Sequence, residues 1–385
     1  MTRKLYYIDS HLFEFTATVL ECVQAGENWK IILDETAFFP EGGGQLADTG
    51  ELGNVRVLDA HEKNGVVQHL CSGPLESGTR VTGRIDKEQR LRRMQNHSGE
   101  HILSGTAHRL YGCENVGFHM GADVVVIDFD RELTADELRR IETEANEAVR
   151  QNLQVKTFFP SAEELAKLEY RSKKELQGDV RIVEIPGVDR CACCAPHVEF
   201  TGEVGQIKIL EAERHRGGVR LQVVFGMQAL EEFRNRQQSV TEISTLLSAK
   251  RDAVTSAVQR LIRERDSLKE KNAALALELV SLKAAQQPET KGNLCLEEAI
   301  LDEIAMRELV NLLVPKCGGI TAVFFPGAEG TRRYIIGSRT IDLRKAAKAI
   351  NQGIGGRGGG SPEMIQGSAT AGMEEIRAFL ETFEG

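Results

Sequence analysis

The sequence predicts an α+β protein built from several domains. Three observations lead to this fold class: alternating apolar and polar residues near the N-terminus, interleaved helical and strand patterns after residue 90, and a heptad pattern after residue 228. At 385 residues the chain is long enough for two or three sizeable cores. The regions that these patterns separate are 1–90, 91–228, 229–287 and 288–385.

Composition restricts the class of protein. Hydrophobic residues make up 41% of the chain and charged residues 27%, as in a globular protein in water. The net charge of −9 argues against unspecific coating of nucleic acid, although a local basic face is compatible with it. No apolar run is long enough for a membrane span, and MTRKLYYIDSHLFEF is not a secretory signal. We therefore expect a cytoplasmic protein whose eight cysteines are thiols or metal ligands.

The first region predicts a small antiparallel barrel, with a sandwich as the alternative. The runs FEFTATVLECV, WKIILD, VRVLDA, GVVQHL and TRVTGRI alternate apolar and polar side chains, as strands with one buried face do. Turn-forming stretches such as EGGG and SGP separate these runs.

The second region predicts a mixture of helices and strands. Helices are expected at HSGEHILSGTAHRLYG and at TADELRRIETEANEAVRQNL, where Thr134 and Glu137 match a capping box. Strands are expected at VVVIDFD, VKTFFP, VRIVEI, VGQIKILEAER and VRLQVVFG. This α+β domain should end near Gly226.

The third region predicts one long helix or a helical pair. Residues 229–286 contain neither proline nor glycine, and an apolar residue recurs at every seventh position. A second heptad row is partly charged, so the apolar seam is narrow, and we expect it to serve dimerisation or tethering. The apolar row consists of Phe233, Val240, Leu247, Val254, Leu261, Leu268, Leu275 and Leu282.

The last region predicts a small α/β domain. A helix is expected at LEEAILDEIAMRELVNLLV, strands at ITAVFFP and RYIIGS, and a second helix at LRKAAKAIN. The following GIGGRGGGSP is expected to form a glycine-rich loop.

Two histidines and a cysteine cluster suggest a metal site. His97 and His101 stand four residues apart in HSGEH, so both imidazoles project from one face of the predicted helix. Zinc takes four ligands, and a cysteine together with His197 would complete the set. A separate zinc knuckle or buried apolar cysteines are the alternatives. Spacing does not choose among the three cysteines in CACCAPHVEFTGEVG, which are Cys191, Cys193 and Cys194.

Three motifs resemble the editing domain of alanyl-tRNA synthetase, and especially the free-standing editing proteins of the AlaX group. They are TAFFPEGGGQLADTG (36–50), HSGEH (97–101) and CACCAPHVEFTGEVG (191–205), in the order found in that family. GGRGGGSPEMIQG (355–367) resembles the glycine-rich signature of the DHH-associated domain at the synthetase C-terminus. The chain thus looks like a long-form AlaX, with a barrel, a zinc editing core, coiled helices and a DHH-associated-like domain.

The resemblance implies a zinc-dependent trans-editing hydrolase that deacylates mischarged tRNA(Ala) carrying serine or glycine. It also implies one Zn²⁺ per chain. The TGE sequence at 201–203, which follows His197, sets the register in which the family's ligand motif is aligned with this chain. In that register the four zinc ligands are His97, His101, Cys193 and His197.

The resemblance further suggests substrate contacts in the first motif. The hydroxyl of Thr36 would face the aminoacyl side chain and favour serine over alanine, unless Thr36 is an ordinary strand residue. Glu41 and Glu100 are candidate bases, and Gln45 is a candidate polar wall of the pocket. A close approach of backbone to substrate, or a simple turn, is expected of Gly42, Gly43 and Gly44.

Basic stretches suggest contacts to the acceptor end of tRNA(Ala). The alternative is an ordinary solvated surface. The candidate residues are Arg92, Arg93, Arg216, Arg220 and Arg357. A homodimer through the helical segment or the C-terminal domain is expected, and no membrane partner.

Two other functions compete with the hydrolase. Four protein ligands resemble a closed structural zinc site, which would suit a non-catalytic tRNA-binding adaptor. A zinc peptidase is disfavoured because HSGEH lacks the glutamate position of HExxH.

Overall fold

The computed structural model describes residues 1–121, 123–172, 180–327 and 330–384. It divides into two compact units, Met1–Val240 and Thr241–Gly385. Helices and sheets occur in both units, which confirms the α+β class. None of the described helices combines the length and the apolar composition that a membrane span needs.

Short strands, whose residues alternate between buried and exposed positions, form the N-terminal part of the first unit. They are β1 (Arg3–Lys4), β2 (Glu14–Ala25), β3 (Asn28–Leu33), β4 (Glu35–Thr36), β5 (Gly50–Leu52), β6 (Val55–Lys63), β7 (Val66–Cys71) and β8 (Arg80–Ile85). Six of them pair in the order β2–β3–β7–β6–β5–β8, and β8 pairs again with β2, so that the ring closes. The apolar half of the alternation fills the interior, for example with Phe15, Ile31 and Val57. The glycine motif lies between β4 and β5.

A long helix follows directly, α1 (Lys87–Tyr111). It begins ten residues before the predicted segment, because Asp86 caps it by accepting a hydrogen bond from the backbone N–H of Gln89. Gly112, with a left-handed φ of 66°, ends it. The middle of the helix, from Met94 to Ala107, is buried almost completely, so its polar residues lie inside the unit.

Two sheets and two further helices complete this part of the first unit. The strands are β9 (Asn115–Met120), β10 (Val125–Phe129), β11 (Lys156–Phe158), β12 (Ile182–Ile185), β13 (Asp189–Ala192), β14 (Ile207–His215) and β15 (Gly218–Phe225). They form a sheet of order β14–β15–β10–β9 and a sheet of order β11–β12–β13. The helices are α2 (Ala135–Arg150) and α3 (Ala162–Leu165). The predicted strands are confirmed, as is the capping box between Thr134 and Glu137.

The heptad region forms a helical pair. Its helices are α4 (Gly226–Leu246) and α5 (Val254–Gln286). Ser248, with a φ of 47°, and a short 3₁₀ turn at Arg251–Ala253 separate the two. Towards its end α5 packs through Val280 and Ala284. The heptad row itself is largely exposed, so it contributes little to that core.

The C-terminal elements form a five-stranded sheet with helices. They are β16 (Leu294–Glu297), α6 (Glu303–Leu313), β17 (Ile320–Pro326), β18 (Arg332–Ser338), α7 (Leu343–Gly353), β19 (Gly356–Gly360), β20 (Met364–Ala369) and α8 (Met373–Glu381). The strand order is β16–β17–β18–β20–β19.

Two sequence predictions are wrong in this unit. The expected helix at LEEAILDEIAMRELVNLLV starts only at Glu303, because β16 pairs in parallel with β17 and takes up residues 296–297. The expected glycine-rich loop is the edge strand β19. Its glycines fit the sheet where side chains would not: a Cβ on Gly358 would lie 2.2 Å from the hydroxyl oxygen of Tyr334.

Candidate metal centre

Two elements bring the four predicted ligands together. His97 and His101 project from successive turns of α1, while Cys193 and His197 lie in the loop that follows β13. One donor atom of each residue lies within 4.8 Å of the others. The three imidazoles are almost completely buried.

The separations of these donor atoms fit a zinc ion. The Sγ of Cys193 lies 3.4 Å from the Nε2 of His97 and 3.4 Å from the Nε2 of His197. In a tetrahedral site with a Zn–S distance of about 2.3 Å and a Zn–N distance of about 2.05 Å, sulfur and nitrogen lie roughly 3.5 Å apart. Three imidazoles and one thiol are also a donor set that zinc prefers.

Each histidine makes a hydrogen bond through Nδ1, which leaves Nε2 for a metal. Such partners orient metal-bound imidazoles in proteins. The Nδ1 atoms of His97, His101 and His197 are paired respectively with Gln45 Oε1 at 3.0 Å, Asp189 Oδ2 at 2.9 Å and Ser98 Oγ at 2.9 Å.

The buried charges of the cluster influence one another. Burial opposes charge on His101 and on Asp189, but their hydrogen bond prevails: it raises the pKa of His101 well above its usual value and lowers the pKa of Asp189 to about 2. Burial likewise opposes a thiolate, yet the neighbouring His97 and His197 hold the pKa of Cys193 well below its ordinary range. Burial lowers the pKa of His197 to about 3. Zinc binds a thiolate and neutral imidazoles. The lowered pKa values of Cys193 and His197 favour that state, whereas the raised pKa of His101 means that zinc has to displace a proton from His101.

A cavity of about 560 Å³ opens beside the cluster. Aromatic rings form part of its wall: Phe159 is half exposed, and its ring centroid lies 5.5 Å from that of Tyr7. The remaining described residues of the lining include Gly43, Gly44, His97, Glu100, His101, Val116, Phe118, Arg171, Arg181, Cys191, Cys193 and Cys194. The lining therefore combines aromatic and apolar side chains with three of the possible ligands, and the ring of Phe118 lies 5.2 Å from that of His97.

Glu100 places a carboxylate at this cavity. Its Oε1 accepts hydrogen bonds from Ser104 Oγ at 2.7 Å and from Asn115 Nδ2. Its Oε2 lies 3.9 Å from the Nε2 of His101, so the second oxygen faces the cluster.

The glycine motif forms a tight turn beside the cluster. Gly42 and Gln45 exchange two backbone hydrogen bonds of 3.0 Å. Between them Gly43 and Gly44 have φ values of 60° and 82°, a conformation that residues with side chains rarely adopt. A Cβ on Gly44 would also lie 2.6 Å from the ring of Phe118. The turn thus gives the cavity a wall without side chains, and Gln45 supports His97.

Thr36 and Glu41 do not reach the cavity in the described part of the chain. Thr36 is fully buried, and its Oγ1 lies 2.9 Å from the Nε2 of His69 and accepts the backbone N–H of Phe38. A contact with an aminoacyl side chain therefore has no support in this geometry. Glu41 is exposed, with its carboxylate 3.9 Å from His61.

The predicted basic residues also lie outside the described cavity lining. Arg92 is exposed, whereas Arg93 is partly buried and donates to the carbonyl oxygen of Ala47. Arg216 is exposed in the turn between β14 and β15. Arg220 forms a two-pronged pair with Asp128, at 2.7 and 2.8 Å. In the second unit, Arg357 is exposed on β19.

Arg90, a basic residue near the start of α1, stabilises the fold and is not exposed for tRNA contact. Its side chain is fully buried. The Nε donates to Asp48 at 2.9 Å, and the Nη1 donates to the carbonyl oxygen of Ser10 at 2.9 Å. Arg90 is unavailable to phosphate groups and instead joins α1 to the glycine motif.

Sequence reasoning missed several residues around the cluster. Arg181 donates to the carbonyl oxygens of Cys193 and Ala195, at 3.1 and 2.8 Å, and so holds the ligand loop. Asp189 and Ser98 orient two of the imidazoles. Asp189 is 88 positions from the histidine it contacts, so no local pattern signals the pair.

Comparison with known proteins finds three matching family models along the chain. The model of tRNA synthetases class II (A) matches residues 8–89, that of the threonyl and alanyl tRNA synthetase second additional domain matches 180–221, and that of the DHHA1 domain matches 291–385. The C-Ala domain from Aquifex aeolicus alanyl-tRNA synthetase aligns with 26% of this chain and 100% of that domain, at 17% identity and a TM-score of 0.22.

Several full-length relatives are alanine–tRNA ligases. Those of Ignicoccus hospitalis and Methanoregula boonei are 31% and 32% identical to this chain over 93% and 95% of its length. The ligase of Caldivirga maquilingensis is 33% identical over 95%. The matches cover 40%, 41% and 42% of these relatives, so the chain spans about two fifths of their length. The chain is thus an alanyl-tRNA synthetase-like protein, with segments that match the second additional domain and the DHHA1 domain.

Proposed function

We propose that this chain is a zinc-dependent trans-editing hydrolase, which deacylates mischarged tRNA(Ala) by hydrolysing the ester that carries serine or glycine. The observation that carries the proposal is that three members of the His97, His101, Cys193 and His197 cluster, all except His197, line a cavity that also holds a carboxylate. Zinc held by these four residues would supply a Lewis acid for an ester carbonyl or a water.

Glu100 is the proposed general base. Hydrogen bonds from Ser104 and Asn115 hold its Oε1, so Oε2 is fixed towards the cluster and the cavity. In that position Oε2 accepts a proton from a water that attacks the ester. A positioned base of this kind typically contributes about 10²- to 10⁴-fold to a rate.

The cavity walls suit the end of an aminoacylated RNA. Its volume of about 560 Å³ accommodates an amino acid and a terminal nucleoside. Phe159 and Tyr7 offer aromatic surface, and base stacking on such surface contributes roughly 1–3 kcal/mol per base. Gly43 and Gly44 let backbone N–H groups approach the ester without side chains between them.

The remaining contacts are proposed for the body of tRNA(Ala) and for a second copy of the chain. Arg92, Arg93, Arg216, Arg220 and Arg357 would contact phosphate groups, most directly the exposed Arg92, Arg216 and Arg357. The exposed heptad row would form the seam of a homodimer.

Parallel deacylation assays test the proposal. We expect hydrolysis of Ser-tRNA(Ala), slower or no hydrolysis of Ala-tRNA(Ala), and loss of activity with a chelator that zinc restores. The Gly-tRNA(Ala) assay decides whether glycine is a second substrate. Folded, zinc-loaded protein that releases no serine would contradict the proposal.

A tRNA-binding adaptor with a structural zinc site is the second candidate. The observation in its favour is that four protein ligands already complete a tetrahedral zinc site. Glu100→Gln separates the two candidates, because Glu100 is not one of the four ligands. The hydrolase requires a loss of at least about 100-fold in the single-turnover rate with zinc retained. The adaptor requires that neither wild type nor variant hydrolyses the ester, while both bind tRNA.

A further inference from the structure

A buried ion pair stands behind one of the candidate ligands. The Nδ1 of His101 lies 2.9 Å from Oδ2 of Asp189. Arg171 grips the same carboxylate from the other side, with Nε 2.7 Å from Oδ1 and Nη2 3.0 Å from Oδ2. The side chains of Asp189 and His101 are 2% and 3% exposed, and that of Arg171 is 12% exposed.

The backbone is arranged to bring this carboxylate to α1. Gly105 lies one helical turn after His101, and a Cβ there would be 2.5 Å from the Cβ of Asp189 and 2.5 Å from the carbonyl oxygen of Val188. Glycine inside a helix costs roughly 0.5–1 kcal/mol relative to alanine. Here it permits β13 to approach α1 closely enough for the hydrogen bond.

The backbone of Arg171 is held in place by β13, the strand that carries Asp189. Its N–H donates to the carbonyl oxygen of Arg190 at 2.8 Å, and its carbonyl oxygen accepts from the N–H of Ala192 at 3.0 Å. The guanidinium therefore meets the carboxylate from a fixed backbone. Because both oxygens are engaged by Arg171, Asp189 would have to give up this ion pair to ligate a metal with His101 and Cys191, the other possible donor group here.

The partner of His101 differs from those of the other two imidazoles. His97 pairs with the amide oxygen of Gln45, and His197 pairs with the hydroxyl of Ser98. Among the three Nδ1 atoms, only that of His101 has a charged partner. A carboxylate behind a ligating imidazole fixes its tautomer and raises its basicity as a ligand.

We infer that Asp189 and Arg171 are positioning residues, which orient His101 and strengthen the binding of Zn²⁺ to the cluster. The inference rests on the proposed metal site and adds two residues behind it. The competing account is that Asp189 and Arg171 form an ordinary buried ion pair, which would stabilise the fold without affecting the metal.

Zinc affinity of the full chain, measured by competition with a chromophoric chelator, tests the inference. Asp189→Asn removes the charge, and Gly105→Ala separates Asp189 from His101 by steric contact. Both should bind zinc about 10- to 100-fold more weakly than wild type, because loss of such outer partners has that effect on metal affinity. Long-range ¹⁵N correlation spectra should show His101 protonated on Nδ1 in zinc-loaded wild type.

Asp128→Asn is the matched control. Asp128 forms the same two-pronged pair with Arg220, at 2.7 and 2.8 Å, but has no part in the cluster. Its zinc affinity should stay within about twofold of wild type. Arg171→Lys, which keeps the charge but loses the fork, should weaken zinc binding less than Asp189→Asn does.

The outcomes separate the inference from the proposed function. Wild-type zinc affinity in Asp189→Asn and Gly105→Ala, even with a lowered melting temperature, would overturn the inference and leave the metal site standing. If Asp189→Asn does not fold, Gly105→Ala and Arg171→Lys decide by the same measurement. A wild-type chain that binds no zinc would overturn both the metal site and the inference.

Discussion

At the scale of single residues, the three neighbouring cysteines have different surroundings. Cys193 contacts the Nε2 atoms of His97 and His197. Cys191 is buried on β13, and Cys194 is exposed beside the glycine turn, where a Cβ on Gly43 would lie 3.8 Å from its sulfur. The cluster therefore has one sulfur at its centre and two at its margin.

Cys193→Ala should lose the metal, because it removes the one thiolate of the cluster, whose sulfur lies 3.4 Å from the Nε2 atoms of both His97 and His197. Cys191→Ala and Cys194→Ala should retain about one zinc per chain. Metal content after dialysis, measured by inductively coupled plasma mass spectrometry, provides the test. Loss of zinc from Cys194→Ala with retention in Cys193→Ala would contradict this assignment.

His69 is a buried histidine of the barrel whose protonation opposes folding. Burial lowers its pKa from 6.5 to about 4, while its ring is hydrogen-bonded to the carbonyl oxygen of Ile31 and to Thr36. In the unfolded chain its pKa is about 6.5. Between these values the unfolded chain binds more protons than the folded chain, so stability falls as the pH falls.

We expect His69→Gln to flatten this pH dependence. Wild type should lose roughly 2–3 kcal/mol of unfolding free energy through His69 between a pH of about 7 and about 4.5. In His69→Gln the unfolding free energy should differ between these two pH values by that much less than in wild type. The variant itself should be less stable than wild type at neutral pH. Urea unfolding of both proteins measures it, and any loss of metal at low pH is common to both. Equal pH dependence in the two proteins would contradict a depressed pKa.

At the scale of elements, α1 shows how a buried polar helix is tolerated. Most of its buried polar side chains are hydrogen-bonded, for example those of His97, His101 and Glu100, whereas Asn96 Oδ1 and Thr106 Oγ1 are buried without a hydrogen-bond partner in the described part of the chain. Two glycines permit this packing: a Cβ on Gly99 would lie 2.2 Å from the ring of Phe225, and Gly105 lies against Asp189. Because polar residues are buried along with apolar ones, the sequence of this helix is only weakly amphipathic. Periodicity alone therefore locates the helix from His97 onwards and misses its first ten residues.

The exposed heptad row of α5 predicts a dimer seam. Leu268 is 65% exposed and Leu275 is 63% exposed, although both occupy the apolar row. The double variant Leu268→Glu/Leu275→Glu should therefore convert a dimer into a monomer, because it places charges in a paired apolar seam. Light scattering coupled to size-exclusion chromatography measures the mass.

Leu277→Glu is the control for this prediction. Leu277 is also exposed on α5, at 47%, but lies outside the heptad row. It should remain dimeric. A monomeric wild type, or a double variant that stays dimeric, would show that the row is not an oligomer seam.

At the scale of the whole molecule, the second unit offers a surface of a different kind. β19 is an edge strand of nearly bare backbone, and Arg357 is exposed within it. A phosphate backbone can approach such a strand closely because few side chains intervene. A charge reversal tests the proposed contact of Arg357 with the phosphate groups of tRNA(Ala).

Arg357→Glu should weaken binding of tRNA(Ala) several-fold and reduce the slope of log affinity against log salt by about one. Zinc content should be unchanged, because the four donor residues of the cluster lie in the first unit. Arg344→Glu, which makes the same charge change at an exposed position of α7, is the matched control and should bind tRNA more nearly as wild type does. Equal binding by both variants and wild type would exclude β19 as an RNA surface.

Much of the fold is predictable because its signals are local. Alternation locates β2, β3 and β10, and the Thr134 capping box locates the start of α2. The glycine-rich β19 misleads, because glycine favours a loop until Tyr334 and the neighbouring strand are known. The start of α6 is misplaced because pairing with β17 overrides helix propensity at 296–297.

The sequence by itself determined the α+β class, the family resemblance and the residue types of the proposed zinc site, since each of these depends on patterns within a few dozen residues. Only the tertiary structure placed Cys193 between His97 and His197, turned Thr36 towards His69 and set Asp189 behind His101. Cys193 and His197 are four positions apart in the sequence, whereas the other contacts join residues that are 33 to 96 positions apart. Side-chain packing decides which atoms meet over such distances, and no local periodicity records it.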